Sequence, residues 1–465
     1  MATKNVSSAK SGVSLDLLFN PRSIAVIGAT NTEGKLGYNV FKNLVSHNYQ
    51  GKLYPINPNS EYVQGIKSYK GIKDITDDID VAVVIIPAKN TPQAIQECCE
   101  KGVKFIVNEV AGYSEIGAGG KSLEQQMLAA LKNSGTRMVG PNCSGLINTH
   151  NNMVQALGIV GTLRKGNTGM VAQAGVYASG LLWGYRHTLG FGIIATVGNK
   201  LDLNETDILQ YLGSDKNIKV ICMYLEDIKA GRRFIDIARE VSKTKPIVVL
   251  KGGRTDAGRK TAASHTASIA GNAAIYNAAF AQSRVVTADS YLDMFDITKA
   301  FSKQPLPKGP GVLLISYTGA MGVTSTDTCY EKGLRLAELS SASVEQLRQI
   351  MPPYVTARNP VDLTFDQTPQ QVVDILETCV KDEDVSAAVI VIQAELTDKY
   401  IDSLKKLDMR GKPLMVSIPA RNFVVEPAIK LEQAGFPVYD APETAVHVLS
   451  KMYRYYGHSS YSSTK

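Results

Sequence analysis

A short apolar run, a turn of small residues, then a stretch of helical periodicity: this unit recurs through most of the 465 residues and leaves few folds open. Ser23-Ile-Ala-Val-Ile-Gly28 comes first, followed by a small, polar turn over 29–37 and helical spacing over 38–46. Further apolar runs lie at 52–57, 81–86 (closed by Pro87), 105–108 and from Met138, with helices expected over 91–101 and 121–133. Strands alternating with helices predict an α/β chain of doubly wound, parallel sheets. Ligands on such sheets bind beyond the carboxyl ends of the strands. Gly28 to Lys35, Asn57 to Asn59, Pro87 to Asn90 and Glu109 to Gly112 are therefore expected to share one rim.

The alternation restarts twice. Apolar runs at 169–172, 191–197, 220–225 and 246–250 make a second set, and 311–316, 387–392, 413–418 and Val438 a third. Ser302-Lys-Gln-Pro-Leu-Pro-Lys-Gly-Pro310 between them reads as a linker. The length suits about three domains, with boundaries expected at 14–145, 146–303 and 304–465. The six cysteines form no CxxC pair, which points to reduced thiols in a cytoplasm rather than a disulfide framework or zinc site. No run approaches the roughly 18 apolar residues of a membrane helix. The polar start, MATKNVSSAKSG, has no apolar segment of the secretory kind. A net charge of +7 without a dense basic stripe argues against nucleic acid and suits a polyanionic small ligand.

Two regions carry candidate chemistry. The first turn fails as a dinucleotide site, since Thr30 stands at the second glycine of G-x-G-x-x-G and the second strand ends in Asn57-Pro-Asn59 instead of an acid. The Thr30 hydroxyl, Lys35 and backbone N–H groups still suit phosphate. The second region, 251–271, follows an apolar strand, is small, polar and Gly-broken, and holds His265. It predicts a strand-to-helix loop, with Thr266 and Ser268 capping the helix that follows. Neutral imidazole is nucleophilic and can carry a phosphoryl group. A loop histidine that merely caps a turn is the bland alternative. Glu226, at the carboxyl end of its strand, is either a cap or ion-pair carboxylate or the group that holds one ring N–H of His265. Thr318-Gly319, in the turn before the third set's first helix, is another helix start able to hold an anion.

With these residues together, the chain resembles the alpha chain of ADP-forming acyl-CoA synthetases and, more distantly, the succinyl-CoA synthetase alpha subunit. The resemblance rests on Phe19-Asn-Pro-Arg-Ser-Ile-Ala-Val-Ile-Gly-Ala29, Gly140-Pro-Asn-Cys143, Val197-Gly-Asn-Lys200 with Asp202, and Tyr224-Leu-Glu226. It extends to Lys251-Gly-Gly-Arg-Thr255, Ser264-His-Thr266 and Asn359-Pro-Val-Asp-Leu363. It implies an N-terminal Rossmann-like CoA-binding domain followed by two flavodoxin-like, succinyl-CoA-ligase-type domains. It also implies His265 as the phosphorylated histidine and Glu226 as its support.

Carried over by motif, CoA contacts fall to Gly28, Ala29, Thr30, Lys35, Asn57, Asn59, Pro87 and Glu109, with Asn142 beside the reacting acyl group. Phosphate contacts fall to Gln173, Gly175, Gly198 and Asn199, with Thr318 and Gly319. Coenzyme A and phosphate are the implied ligands, with a small carboxylic acid such as acetate as substrate, and no metal on this chain. The resemblance also implies ADP or ATP with Mg²⁺ on a separate ATP-grasp beta subunit, in an alpha2beta2 assembly; this chain itself shows no Walker A motif. Ala267, Ala174 and Tyr317-Thr318 depart from the family's more Gly- and Ser-rich pattern. A CoA-binding regulatory protein of the same fold that has lost catalysis is the alternative, and the intact His265 and Glu226 argue against it.

Overall fold

The computed structural model describes residues 14–178, 184–185, 187–266, 272–364, 368–419, 422 and 424–460, with backbone alone at 178, 262–266 and 458–460. Two compact units emerge, Met1–Thr287 and Ala288–Lys465.

The first unit opens with β1 (Ser23–Ile27), β2 (Lys52–Ile56), a two-stranded ribbon of β3 (Tyr62–Val63) and β4 (Ile66–Lys67), β5 (Val81–Val84), β6 (Phe105–Asn108) and β7 (Arg137–Val139). The main strands pair in the order β2-β1-β5-β6-β7, every pairing parallel. Side chains along β1 show why its run is apolar throughout. Ile24 and Val26 point into one core cluster and Ala25 and Ile27 into another on the opposite face. A parallel sheet covered on both sides needs such a continuous run.

The second sheet adds β8 (Gly145–Asn148), β9 (Met153–Ala156), β10 (Lys165–Ala172), β11 (Phe191–Thr196), β12 (Val220–Leu225), β13 (Ile247–Lys251) and β14 (Val286–Ala288). Its order is β14-β13-β12-β10-β11-β8-β9. β10 pairs in parallel with β11 and β12, and β12 with β13, but β8 and β9 form an antiparallel hairpin on the edge beside β11. The purely parallel expectation misses this hairpin, whose turn at His150-Asn151-Asn152 uses Asn152 at φ 62°. One apolar cluster runs from Ile24 and Val26 on the first sheet to Val171 and Ile193 on the second. Arg137 and Asp202 close a two-pronged ion pair (2.8 and 3.0 Å) that ties β7 to the loop after β11.

In the second unit, β15 (Gly311–Ser316), β16 (Arg335–Leu336), β18 (Ala387–Val391), β19 (Leu414–Ser417) and β20 (Val438–Tyr439) line up as β16-β15-β18-β19-β20, with β17 (Val361–Asp362) also on β15. The helix Tyr291–Lys303 packs inside this unit. Lys299 on it is buried, donates to the Val438 carbonyl (2.6 Å) and pairs with Glu432 (3.0 Å). The unit boundary therefore precedes the proline-rich stretch, which connects that helix to β15. Among the described residues no helix is long and apolar enough to cross a membrane.

Candidate functional site

A cleft of about 1060 Å³ runs along the carboxyl ends of the first sheet. It is lined by Gly28, Thr30, Lys35, Asn57, Asn59, Pro87 and Glu109, which the sequence had grouped on one rim, and by Asn142, which the resemblance had placed beside the acyl group. Ala29 is the exception. It is buried behind the turn, where its carbonyl accepts from Asn57 Nδ2 (2.8 Å). Gly28 shows why the turn needs glycine: φ is 98°, and a Cβ would stand 2.2 Å from the Ile85 carbonyl oxygen. The sheet order gives the cleft a polarity. Lys35 and Lys70 are exposed at the β1–β2 flank, while Glu109 and Asn142-Cys143-Ser144 close the β6–β7 flank. A cleft at the upper end of the usual size range, basic at one end, fits a long ligand with an anionic head.

Glu109 is 4% exposed. One carboxyl oxygen accepts from Gln155 Nε2, and the other, Oε2, is buried with no hydrogen-bond partner among the described residues. Burial pushes the group up to about 8, so it is mostly protonated at neutral pH.

The second rim is built by the carboxyl ends of β10 to β13. Gly198, at φ 54°, brings its turn against the first sheet's last loop, where a Cβ would meet the Pro141 carbonyl oxygen at 2.2 Å. Asn199 N donates to that same oxygen (2.9 Å), and Asn142 Nδ2 reaches Asn199 Oδ1 (3.4 Å). The structure thus brings Asn142 and Asn199 together. The Asn199 amide nitrogen also donates to Glu115 Oε2 (3.0 Å) and Glu124 Oε1 (3.3 Å), so its side chain is held by carboxylates.

Lys200 was not singled out from sequence, yet it organises this rim. Its ammonium is fully buried, 3.0 Å from Glu205 Oε2 and in contact with Asp227 Oδ1, and it donates to Gln173 Oε1 (3.1 Å). Gln173 Oε1 also accepts from the backbone N–H of Glu226 (2.9 Å) and Asp227 (3.2 Å), and its amide nitrogen donates to Asp227 (2.9 Å). Gln173 therefore fixes the chain direction at Glu226, and its carboxamide oxygen faces donors of this network. Burial pushes the Asp227 carboxyl up, and the Lys200 charge outweighs it, leaving the group below the usual carboxylate range. Gly175 opens a 3₁₀ turn where a Cβ would strike Ser144 Oγ.

Glu226 is buried at the end of β12, and Tyr224 Oη donates to its Oε1 (3.2 Å). Lys251, at the end of β13, donates to the Glu226 carbonyl (2.6 Å) and lies 4.4 Å from the Tyr276 ring centre. Burial lowers its ammonium to about 8.

His265 is not on a loop. The helix Asp256–Thr266 carries it in its last turn. Thr255 Oγ1 accepts from Gly258 N (3.0 Å) and Asp256 occupies the first turn, which is why the helix starts at Asp256, just past Gly252-Gly253-Arg254-Thr255. Thr-Asp followed by Ala-rich sequence was the missed signal. The next helix, Ala273–Gln282, is capped by Asn272 (to Ala274 N, 2.8 Å), where the sequence had pointed to Thr266 and Ser268. Ala267, Ser268 and the His265 side chain lie outside the described residues, and so does any contact from Glu226 to the ring. The helix Asp256–Thr266 lies against the turn Ser114–Ile116, beside Glu115 and Asn199. In the second unit, Thr318 precedes the helix Gly319–Glu331. There a Cβ on Gly319 would sit 2.8 Å from Asp362 Oδ2, so a carboxylate of this chain already faces that helix start.

Comparison with known proteins shows what the chain as a whole is similar to. Three family models match in succession: a CoA binding domain (residues 22–149), a succinyl-CoA ligase like flavodoxin domain (165–301) and a ligase-CoA domain (312–461). The chain is 39% identical to the acetate–CoA ligase [ADP-forming] II subunit alpha of Pyrococcus furiosus, across 92% of this chain and 95% of that one. It is 38% identical to acetate–CoA ligase [ADP-forming] II of Archaeoglobus fulgidus, covering 94% of this chain and 66% of that longer protein. A solved structure of the dinucleotide forming acetyl-coenzyme A synthetase 1 of Ca. Korarchaeum cryptofilum, in complex with phosphate and ADP, superposes with a TM-score of 0.91 at 34% identity. That match covers 97% of this chain and 98% of that one.

Proposed function

The chain belongs to the ADP-forming acetate–CoA ligase family, as an alpha chain, and we propose that it interconverts an acyl-CoA and phosphate with a carboxylic acid and free CoA through acyl phosphate and phospho-His265. Phosphate attacks the thioester carbonyl and expels CoA. The Nε or Nδ lone pair of His265 then attacks phosphorus, releasing the carboxylate. Glu226 orients the ring and balances its charge. Phosphohistidine finally passes its phosphoryl group to ADP.

Coenzyme A lies in the first sheet's cleft, its anionic head toward Lys35 and Lys70 and its thiol toward Glu109 and Asn142. Phosphate sits at the rim formed by Gly175 and Gly198-Asn199. The observation that supports this most is the stitching of the two rims. Asn199 N to the Pro141 carbonyl (2.9 Å) joins the reacting end of the cleft to the loop beside the His265-bearing helix.

The relatives named as alpha subunits imply a separate partner subunit. We assign it an ATP-grasp fold carrying the nucleotide and Mg²⁺, in an alpha2beta2 assembly in the cytoplasm. Acetate is the substrate we propose, from the relatives' names.

The test is to incubate the full chain with acetyl-CoA and radiolabelled phosphate, without nucleotide. Acid-labile, base-stable label on the protein that His265→Ala abolishes is the expected result. Label that persists in the variant, or none with the partner subunit added, would refute the phosphohistidine.

A further inference from the structure

Glu109 is not explained by holding the fold together. Its Oε1 has Gln155, but Oε2 is buried without a partner among the described residues, in the wall of the cleft. Gly145 allows this placement, since a Cβ there would stand 2.7 Å from Glu109 Oε1. No basic side chain pairs with the carboxyl among the described residues, and an unpaired charge in such a place is strongly disfavoured. Three strand spacings, roughly 15 Å, separate β2 at the basic flank from β6. A ligand anchored by its anions near Lys70 therefore presents its far end to Glu109.

We propose that Glu109 is the proton donor to the sulfur of coenzyme A when the thioester is cleaved, and the acceptor of the thiol proton in the reverse direction. This rests on the acyl-CoA reading above. An oxygen of monohydrogen phosphate forms a bond to the acyl carbon, the C–S bond breaks, and its electron pair goes to sulfur. The Glu109 O–H protonates the sulfur as thiolate character develops. The carboxylate regains a proton from the phosphate, which leaves as acyl phosphate dianion. Acyl-CoA and monohydrogen phosphate thus give acyl phosphate and CoA thiol with no proton gained or lost.

The group is suited to this. Raised to about 8 by burial, it is protonated at neutral pH and close to the ordinary range of a thiol, so transfer in either direction is nearly balanced. Cys143, the titratable neighbour on the adjoining loop, is pushed far up by burial and donates to the Asn108 carbonyl (3.2 Å), so it does not compete as a base.

The experiment compares two phosphoryl sources in Glu109→Gln, which keeps size and polarity but cannot transfer a proton. One is acetyl-CoA with labelled phosphate; the other is labelled acetyl phosphate, which bypasses C–S cleavage. Label on His265 from acetyl-CoA is expected to form about 100-fold more slowly, while label from acetyl phosphate and the affinity for CoA stay within about threefold. Glu109→Asp should recover part of the loss. Equal loss from both sources, or no loss from acetyl-CoA, would overturn the assignment. In the unsubstituted chain with the partner subunit added, label from neither source would remove the phosphohistidine reading and this proposal with it. Label from acetyl phosphate alone would remove the thioester step on which Glu109 acts.

Discussion

Two carboxylate sites lie at the rims of the first unit's two sheets, both buried, and they are opposites. At the second sheet, Glu205 and Asp227 share the Lys200 ammonium, and Asp227 is held below the usual carboxylate range. At the first, Glu109 has a neutral amide for one oxygen and a cleft beside the other, and it is raised to about 8. Burial alone is thus no guide to charge. A cation in contact keeps an acid ionised and makes it part of the scaffold. An apolar wall without one keeps the acid neutral and leaves a proton available for transfer.

Removing the cation tests the contrast most severely. Lys200→Met strands two buried carboxylates and should destabilise the chain by about 3–5 kcal/mol. Urea unfolding followed by circular dichroism measures it, and a loss under about 1 kcal/mol would mean that the triad is solvated. Glu226→Gln, one residue from Asp227, is next. We expect phosphorylation of His265 to slow by about 100-fold with CoA affinity unchanged, read by label incorporation and calorimetry.

The Glu109 side is sharpened by pH. Its folded-state value lies above that of the unfolded chain, so the stability it contributes is whole below the ordinary carboxyl range and drains away as pH rises through about 8. Glu109→Gln should therefore be more stable than the parent by about 2 kcal/mol at pH 9, with no such gain at pH 5. Melting curves at the two pH values check this, and equal shifts at both would place the proton elsewhere. Smallest is Lys70→Gln at the exposed flank. CoA affinity should fall by about 0.5–1 kcal/mol at low salt and by less in 0.5 M salt, in a fluorescence titration.

Much of this was legible in the chain itself. The helix Thr91–Lys101 and the strands Phe105–Asn108, Val220–Leu225 and Gly311–Ser316 have the bounds that period and punctuation predict. The cleft's lining residues follow from the rule that loops at the carboxyl ends of parallel strands share a rim. The helix around His265 was not read, because Gly258 and a run of polar residues hid a start set by one Thr255 side-chain bond. The β8–β9 hairpin was missed because its short runs carry little periodicity of their own and gain stability from pairing with β11.

Sequence by itself determined the alternation of elements, the doubly wound class and the glycines at the two rims, because backbone sterics and side-chain period act over a few residues. Only the tertiary structure decided which acids are charged. Glu109 and Asp227 are indistinguishable in a one-dimensional reading, since neither has its deciding neighbour adjacent in sequence. Lys200 reaches Asp227 across 27 positions and Gln155 reaches Glu109 across 46. Electrostatic free energy depends on distance and surrounding dielectric, and both are set when the two sheets pack together.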